Sequence, residues 1–340
     1  MKTIAEYKQM LVAEGLLASD NTETADFSQE VTDVSYNSLT VKPGTLFLCK
    51  GANFKEAYLA DALAKGACGY VAARDMNMGP DVPCLVTGDI RAAISKISAF
   101  YFDRSWDKGL KLIGLTGTKG KSTTATMIKA VLDLYRGREI GFSSGIYTYD
   151  GQHREKSRKL TTPETIELHR LLDGCVRNDC RYLVMEVSSQ GLKYDRVADL
   201  HYEVCGFLNI SEDHISEAEH SDMEDYFTSK LKIFDRSRIA CVNLDCDHAQ
   251  RVLQAAQEGG RPVITFSQKN EEADVYASQV RKRGNDILFR VRTRRYLREF
   301  RLTMPGLFNV ENALAAIAVC EGLNIPERAV YVGLMKARVP

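Results

Sequence analysis

The chain has 340 residues, 44% of them hydrophobic and 26% charged, with 45 basic side chains against 45 acidic ones. That balance excludes a disordered, collagenous or coiled-coil chain, and formal neutrality excludes a global field that would draw nucleic acid or an anionic membrane. The length suits about two domains, and any phosphate chemistry has to be local.

In the N-terminal segment MKTIAEYKQMLVAEGLLASD, Glu and Lys interrupt the apolar residues, unlike the core of a signal peptide. No apolar run approaches about 18 residues, so no membrane span is expected and the cytoplasm is the expected location. Nine cysteines, an odd number with no CxxC pair, sit in apolar contexts. They read as reduced core thiols rather than a disulfide framework or a zinc site.

The first hundred residues read as a small α/β unit. TLFLCKG (45–51) and YVAAR (70–74) are predicted strands, AYLADALAKGA (57–67) is a helix ending at Gly66, and IRAAISKISAFYFDRS is a long amphipathic helix. A polar turn from Trp106 to Gly109 marks the expected boundary, giving an N-terminal domain over 1–107 and a central domain over 108–336. Short apolar runs then recur: LIGLTG, YLVMEVSS, VCGFLNI, IACVNLD and PVITFS, separated by segments able to hold helices. This alternation predicts an α/β fold with a mostly parallel sheet. ADVYASQV, DILFRVRT and LREFRLTM instead alternate with period two around Gly284-Asn285-Asp286, which predicts an antiparallel hairpin or meander added to the sheet. Arg290, Arg292 and Arg294 would share one strand face, read as solvated because no aromatic platform accompanies them. NVENALAAIAVCEGL is a further helix, followed by another short helical segment.

The strongest signal is the run Leu112-Ile113-Gly114-Leu115-Thr116-Gly117-Thr118-Lys119-Gly120-Lys121-Ser122-Thr123, followed by a helical pattern from Thr124 to Tyr135. A strand turning through glycines into a helix aims backbone N–H groups and the positive helix end at a phosphate. Lys121 supplies a counter-charge and Ser122 a Mg²⁺ ligand. The strict phosphate-loop pattern would need glycine at 115, where this chain has Leu, so the match is to a variant.

Ligands of parallel sheets bind beyond the carboxyl ends of the strands. That rule selects Glu186, a hard oxygen donor suited to Mg²⁺ or else a carboxylate in solvent, and then Asn209 with Asp213 and His214 after the next strand. His214 is either a site residue or an ordinary polar histidine. Lys230 falls on or near the apolar stripe of DYFTSKLKIF, where it either snorkels to water or, carbamylated by CO₂, becomes a carboxylate-like metal ligand.

GLTGTKGKST, KLTTPET (159–165), MEVSSQGLKYDRV (185–197), FLNISEDH (207–214), DMEDYFTSKLKIF (222–234), VNLDCD (242–247) and MPGLFNVENALAA (304–316) follow one another in the order and spacing of the Mur ligases. SYNSLTVKPGTLFLCKG (35–51) similarly resembles that family's uridine-nucleotide domain. The likeness is strongest to the type that adds meso-diaminopimelate or L-lysine to UDP-N-acetylmuramoyl-L-Ala-D-Glu. The resemblance implies ATP phosphate binding by Gly117, Thr118, Lys119, Gly120, Lys121, Ser122 and Thr123, with Asn309 and Asn312 near the adenine nucleotide. It implies two Mg²⁺ sites, one held by Ser122 and Glu186 and a second shared by His214 and a carbamylated Lys230. Lys121, Glu186, His214 and Lys230 are thereby the expected catalytic residues. Thr161, Thr162, Ser188 and Arg196 stand where the family grips the sugar-peptide, Tyr194 where it often has a substrate-contacting Gln, and Ser38 where it touches the uridine diphosphate.

The chain departs from the pattern at Lys119 (usually Asn), Gln190 (EVSSH is common), Leu39 (Arg of the DSR triplet) and Leu307 (Arg of PGRFN). Family members continue past VPGR into a third, Rossmann-like domain that binds the incoming amino acid. This sequence stops at Val339-Pro340, so 337–340 are expected to begin that domain and the rest of it to be missing. The expected chemistry is amide-bond formation through an acyl phosphate, with Lys121, helix-end amides and metal ions offsetting the charge of two anions brought together. Two other readings remain: another ligase of the superfamily, of folylpolyglutamate or cyanophycin synthetase type, and a non-catalytic module that holds UDP-sugar and nucleotide.

Overall fold

The computed structural model describes residues 1–51, 54–157, 160–211 and 220–338. They form two compact units. Met1–Ser105 is joined in the first by the later segments Glu164–Arg170 and Tyr194–Asp199, and the remaining described residues make the second.

The first unit begins with β1 (Lys2–Thr3) and α1 (Ile4–Ala13), then β2 (Leu17–Asp20), β3 (Glu30–Val31), β4 (Asp33–Ser35), β5 (Thr45–Leu48), α2 (Glu56–Ala64), β6 (Gly69–Ala72), β7 (Cys84–Thr87) and α3 (Ile90–Tyr101). Thr3 and Glu6 close a reciprocal capping box at the start of α1, and the Asp89 carboxylate caps α3 by accepting from the N–H groups of Arg91 and Ala92 at 2.9 and 3.1 Å. The sheet runs β2-β7-β6-β5-β4, parallel except for β2. Ile4, Tyr7 and Leu11 of α1 and Ile94 and Ile97 of α3 pack into the core formed with Leu46, Leu48, Val71 and Leu85 of the strands. Trp106, read from sequence as part of a polar turn, is buried in a 3₁₀ turn over Ser105–Lys108. Its large ring outweighs the polarity of its neighbours.

The second unit contains β8 (Lys111–Thr116), α4 (Lys121–Arg136), β9 (Gly141–Ser143), β10 (Tyr147–Tyr149), β11 (Arg154–Lys156), α5 (Thr165–Arg177, whose first residues group with the other unit), β12 (Tyr182–Glu186), α6 (Ser189–Lys193), β13 (Tyr202–Phe207), α7 (Met223–Leu231), β14 (Ser237–Asn243), α8 (Ala249–Gln257), β15 (Val263–Ser267), β16 (Val275–Arg283), β17 (Asp286–Arg292), β18 (Leu297–Leu302), α9 (Asn309–Gly322) and α10 (Glu327–Lys336). Eleven strands form one sheet in the order β11-β10-β9-β12-β8-β13-β14-β15-β16-β17-β18. From β9 through β16 neighbours are parallel, and both edges are antiparallel. The parallel centre is buried on both sides, which is why β8 and β12 read as unbroken apolar runs. Ile113, Leu115, Val184 and Val204 meet Ala125, Ile128 and Leu132 of α4 and the Ala-rich face of α9.

The predicted meander is β16–β18. Arg283 pairs with Asp286, so the turn itself is only Gly284-Asn285 and Asp286 already belongs to the strand. Arg290 and Arg292 are exposed on β17, but the strand ends there, and Arg294 lies beyond it in an ion pair with Asp274 at 2.6 Å. All nine cysteines are unbridged, and eight of them are buried. Among the described residues no helix is long and apolar enough to cross a membrane.

Candidate functional site

The order of the central strands reverses around β8, which has β12 on one side and β13 on the other. Such a switch point leaves a crevice beyond the strand ends, and here the register is close: Glu186 pairs with Leu115 and Phe207 with Thr116. The loop after β8 therefore lies between the ends of both neighbours.

That loop is held from the β13 side. Asn209 accepts from Lys119 N–H through its side-chain oxygen at 2.9 Å, donates to the Lys119 carbonyl at 3.1 Å, and its own carbonyl accepts from Thr118 N–H at 3.2 Å. Gly120 enters α4 with φ +83°, and a Cβ there would fall 2.3 Å from Asn312 Oδ1, so the position demands glycine for both conformation and space. α4 starts at Gly120 without a side-chain cap, so no side chain takes up its first amides. Lys121 folds back over the loop, donating to the carbonyls of Gly117 and Thr118 at 2.7 and 3.1 Å. Thr123 is partly exposed one residue beyond Ser122.

Glu186 is only 2% exposed, which sets aside the reading of a carboxylate in bulk solvent. It accepts from Ser122 Oγ at 2.8 Å and from Gly145 N–H at 3.2 Å. Burial pushes its carboxyl above the ordinary range, against the opposing pull of Ser122, Lys121 and the Gly145 amide. A desolvated carboxylate beside a serine hydroxyl is a donor set that suits a hard divalent cation.

Lys230 does not snorkel. It is 2% exposed, its Nζ donates to the Gly117 carbonyl at 3.2 Å, and it sits 4.4 Å from the centre of the Tyr226 ring. The Tyr226 hydroxyl in turn lies 3.1 Å from Thr118 Oγ1. α7 thus presses a lysine and a tyrosine against the floor of the loop. Asp213 and His214 lie outside the described residues.

On the β12 side, Thr162 donates to the Glu186 carbonyl at 3.1 Å and accepts from Ser188 N–H at 2.8 Å, while Ser188 Oγ accepts from Gly191 N–H at 3.0 Å. Thr161 lies beside Gly145. On α9, Asn309 and Asn312 are buried and bonded to each other at 3.0 Å, with Asn312 against Gly120 and 3.4 Å from Thr124 Oγ1. The remaining three expected residues belong to the N-terminal unit. Ser38 opens a 3₁₀ turn, its carbonyl accepting at 3.0 Å from Lys65, which also donates to the Asp61 carboxylate at 2.7 Å. Tyr194 stacks 4.3 Å from the Arg91 guanidinium, and Arg196 pairs at 3.0 Å with Glu164, which also holds Lys50.

One group of residues escaped the sequence reading. His220 Nε2 lies 2.9 Å from Ser189 Oγ and its Nδ1 lies 3.3 Å from Asp225 Oδ2. Burial lowers the imidazole's proton affinity, while the Lys193 ammonium, 2.6 Å from Asp225, helps hold that carboxyl down at about 2. The network ties the turn after Glu186 to the helix bearing Lys230. No periodicity or motif spacing in EHSD announces it.

A glycine-rich loop at a sheet switch point, a buried carboxylate bonded to its serine and a lysine beneath its floor accord with the match of residues 115–320 to the Mur ligase middle domain, and the chain belongs to the Mur ligase family. It is 36% identical over 318 residues to the UDP-N-acetylmuramoyl-L-alanyl-D-glutamate--L-lysine ligase of Streptococcus pneumoniae, a match covering 93% of this chain and 63% of that protein. It is 33% identical over 319 residues to the UDP-N-acetylmuramoyl-L-alanyl-D-glutamate--2,6-diaminopimelate ligase of Clostridium perfringens, covering 92% and 64%. The chain therefore spans somewhat less than two thirds of the length of these relatives. A solved UDP-N-acetylmuramoyl-L-alanyl-D-glutamate--2,6-diaminopimelate ligase shares its fold with a TM-score of 0.78 at 22% identity, over 93% of this chain and 65% of that one. MurF from Acinetobacter baumannii does so with 0.70 at 22% identity, over 98% and 68%.

Proposed function

We propose that this chain carries the carboxylate-activating part of an ATP-dependent ligase that extends UDP-N-acetylmuramoyl-L-Ala-D-Glu by a diamino acid, L-lysine or meso-diaminopimelate. The observation that carries the reading is the contact of Ser122 with the buried Glu186 at the mouth of the 117–123 loop. Family membership and the curated relatives support the ligase class.

The loop amides and the start of α4 bind the β- and γ-phosphates of ATP, and Lys121 swings from its present carbonyl partners onto those oxygens. Ser122 and Glu186 hold one Mg²⁺, and Lys230, with His214, holds a second. Bound Mg²⁺ supplies the positive charge that lets a carboxylate approach a triphosphate. Lys230 serves that role as a carbamate: its neutral amine adds to CO₂ and loses a proton, replacing a cation that would repel the metal with an anion that attracts it. Thr162 and Ser188 fix the backbone after Glu186 and, with Thr161, contact the sugar-peptide. Ser38, Tyr194 and Arg196 contact the uridine nucleotide and peptide portions. Asn309 and Asn312 brace Gly120 from the adenine-nucleotide side.

In the reaction the substrate's glutamyl carboxylate attacks the γ-phosphorus, the bond to the bridging oxygen breaks, and ADP leaves. The amine of the incoming amino acid then attacks the acyl phosphate, loses a proton and expels phosphate. Hydroxylamine in place of the amine tests the first step: with ATP, Mg²⁺ and the UDP-dipeptide, the chain is expected to yield the hydroxamate and an equal amount of ADP. Binding of ATP with no ADP release that depends on the UDP-dipeptide would reject activation as this chain's role.

A further inference from the structure

His220 stands between the elements that carry Glu186 and Lys230. Its Nε2 lies 2.9 Å from Ser189 Oγ, at the start of α6 just beyond Glu186, and its Nδ1 lies 3.3 Å from Asp225 Oδ2 on α7. Its ring meets the Tyr226 ring in a T-shaped contact, with centroids 5.1 Å apart. Tyr226 in turn has Lys230 Nζ 4.4 Å from its centroid, and its hydroxyl lies 3.1 Å from Thr118 Oγ1. The imidazole, the Ser189 hydroxyl and the lysine are all buried.

The partners fix the protons. An ionised carboxylate only accepts, so Nδ1 carries the hydrogen, and the neutral ring accepts the Ser189 O–H at Nε2. Asp225 is anchored separately, by the Lys193 ammonium at 2.6 Å and the Ser221 N–H at 3.1 Å. The Asp225 bond therefore orients the imidazole on α7, and the Ser189 bond is the one that crosses from α7 to the turn after β12. Between them the ring packs against Tyr226, on which Lys230 rests as it donates to the Gly117 carbonyl at 3.2 Å.

We propose that His220 is a positioning residue for Lys230: through Ser189 on one side and Tyr226 on the other, it holds the lysine amine in one place relative to Glu186, in the pose that takes up CO₂. The CO₂ part rests on the carbamate reading of Lys230 given above. In that step the neutral amine nitrogen bonds to the carbon of CO₂, one C=O electron pair moves onto oxygen, and an N–H proton leaves to solvent. His220 makes no bond to the reacting carbon. Its effect is to order a long, rotamer-rich side chain before the reaction, so that less freedom is lost when the carbamate forms.

The test uses the folded chain and two readouts. Carbamate is counted by NMR after equilibration with ¹³C-bicarbonate, with Lys230→Ala identifying the signal, and the Lys230 amine is probed with acetic anhydride and mass spectrometry. His220→Asn keeps a donor for Asp225 but loses the Ser189 bond, whereas His220→Gln offers the Ser189 hydroxyl an acceptor. The Asn protein, and Ser189→Ala from the other side, should take up CO₂ about two- to tenfold more weakly, the range that one hydrogen bond spans, and should acetylate faster at Lys230. Because both remove one bond, their combination should be no weaker than either alone. The Gln protein should stay close to wild type in both readouts, which a general loss of packing at a buried site would not allow. Absence of carbamate in wild type, with the acetylation contrast kept, would reject the carbamate reading and still support His220 as the residue that places the amine. Equal carbamate and equal acetylation in wild type, His220→Asn and Ser189→Ala would overturn the role of His220.

Discussion

Replacing Glu186 by Gln separates the cost of burying this carboxylate from its use. The isosteric amide keeps an oxygen for the Ser122 hydroxyl at 2.8 Å and removes only the charge. In wild type the ionised group is 2% exposed, with Ser122 and the Gly145 amide as its bonded neighbours. Its folded pKa is raised, so the native state holds this proton more tightly than the unfolded chain does. The wild-type penalty is therefore full above the raised folded value and disappears as pH falls below the unfolded value. Without metal, Glu186→Gln should equal or exceed wild type in stability at pH 8 by about 1 kcal/mol, as when an uncompensated buried charge is removed. That is about 2–4 °C in Tm for a domain of this size, and the gap should close by pH 4.

With Mg²⁺ and ATP the order should reverse. A ligand at 100 times its Kd stabilises the folded state by about 2.7 kcal/mol. Loss of a carboxylate ligand should weaken metal-dependent binding by at least about tenfold, since even outer partners of metal ligands are worth about 10–100-fold. Thermal unfolding of both proteins at two pH values, with and without Mg·ATP, reads all of this. A Glu186→Gln protein destabilised equally at both pH values and still showing the full Mg·ATP shift would refute the assignment of Glu186 to a cation.

Gly120→Ala should lose about 1–2 kcal/mol from left-handed strain alone and more from the Asn312 overlap, seen as a lower Tm together with weaker nucleotide binding. Lys121→Ala should leave Tm nearly unchanged but weaken ATP binding by at least about tenfold, one hydrogen bond to a charged group being worth about 1.5–3 kcal/mol; calorimetry measures it. Lys230→Ala should abolish hydroxamate formation, and added short carboxylic acids should restore part of it, whereas full activity in the variant would remove Lys230 from the mechanism. His220→Ala should cost about 1–3 kcal/mol by leaving the buried Ser189 hydroxyl without its imidazole partner, while Asp225 keeps Lys193, measured by urea unfolding.

The sequence disclosed most of what is contiguous. The strand, glycine turn and helix from Leu112 to Tyr135 lie in one run, so the loop could be recognised without knowing its neighbours, and Glu186 followed from the rule that strand ends carry ligands. Side chains whose meaning depends on distant partners were opaque. The burial of Lys230 depends on the Gly117 carbonyl, 113 residues away in sequence. The stripe position alone suggested water as readily as the interior. The His220 network draws on Ser189, 31 residues away. The short strands β9, β10 and β11 have only three residues each, too few for any periodicity, yet the β9–β10 turn supplies the Gly145 amide to Glu186. Segments 164–170 and 194–199 group with the N-terminal unit although they lie far along the chain, a pairing that local patterning cannot encode.

The account rests on nucleotide phosphates lying against the amides at the start of α4, and calorimetric titration of the folded chain with ATP, with and without Mg²⁺, tests this most directly. It predicts one-site binding that strengthens sharply when Mg²⁺ is added and weakens in Lys121→Ala. A flat titration in Mg²⁺, from protein whose unfolding transition shows it to be folded, would contradict it.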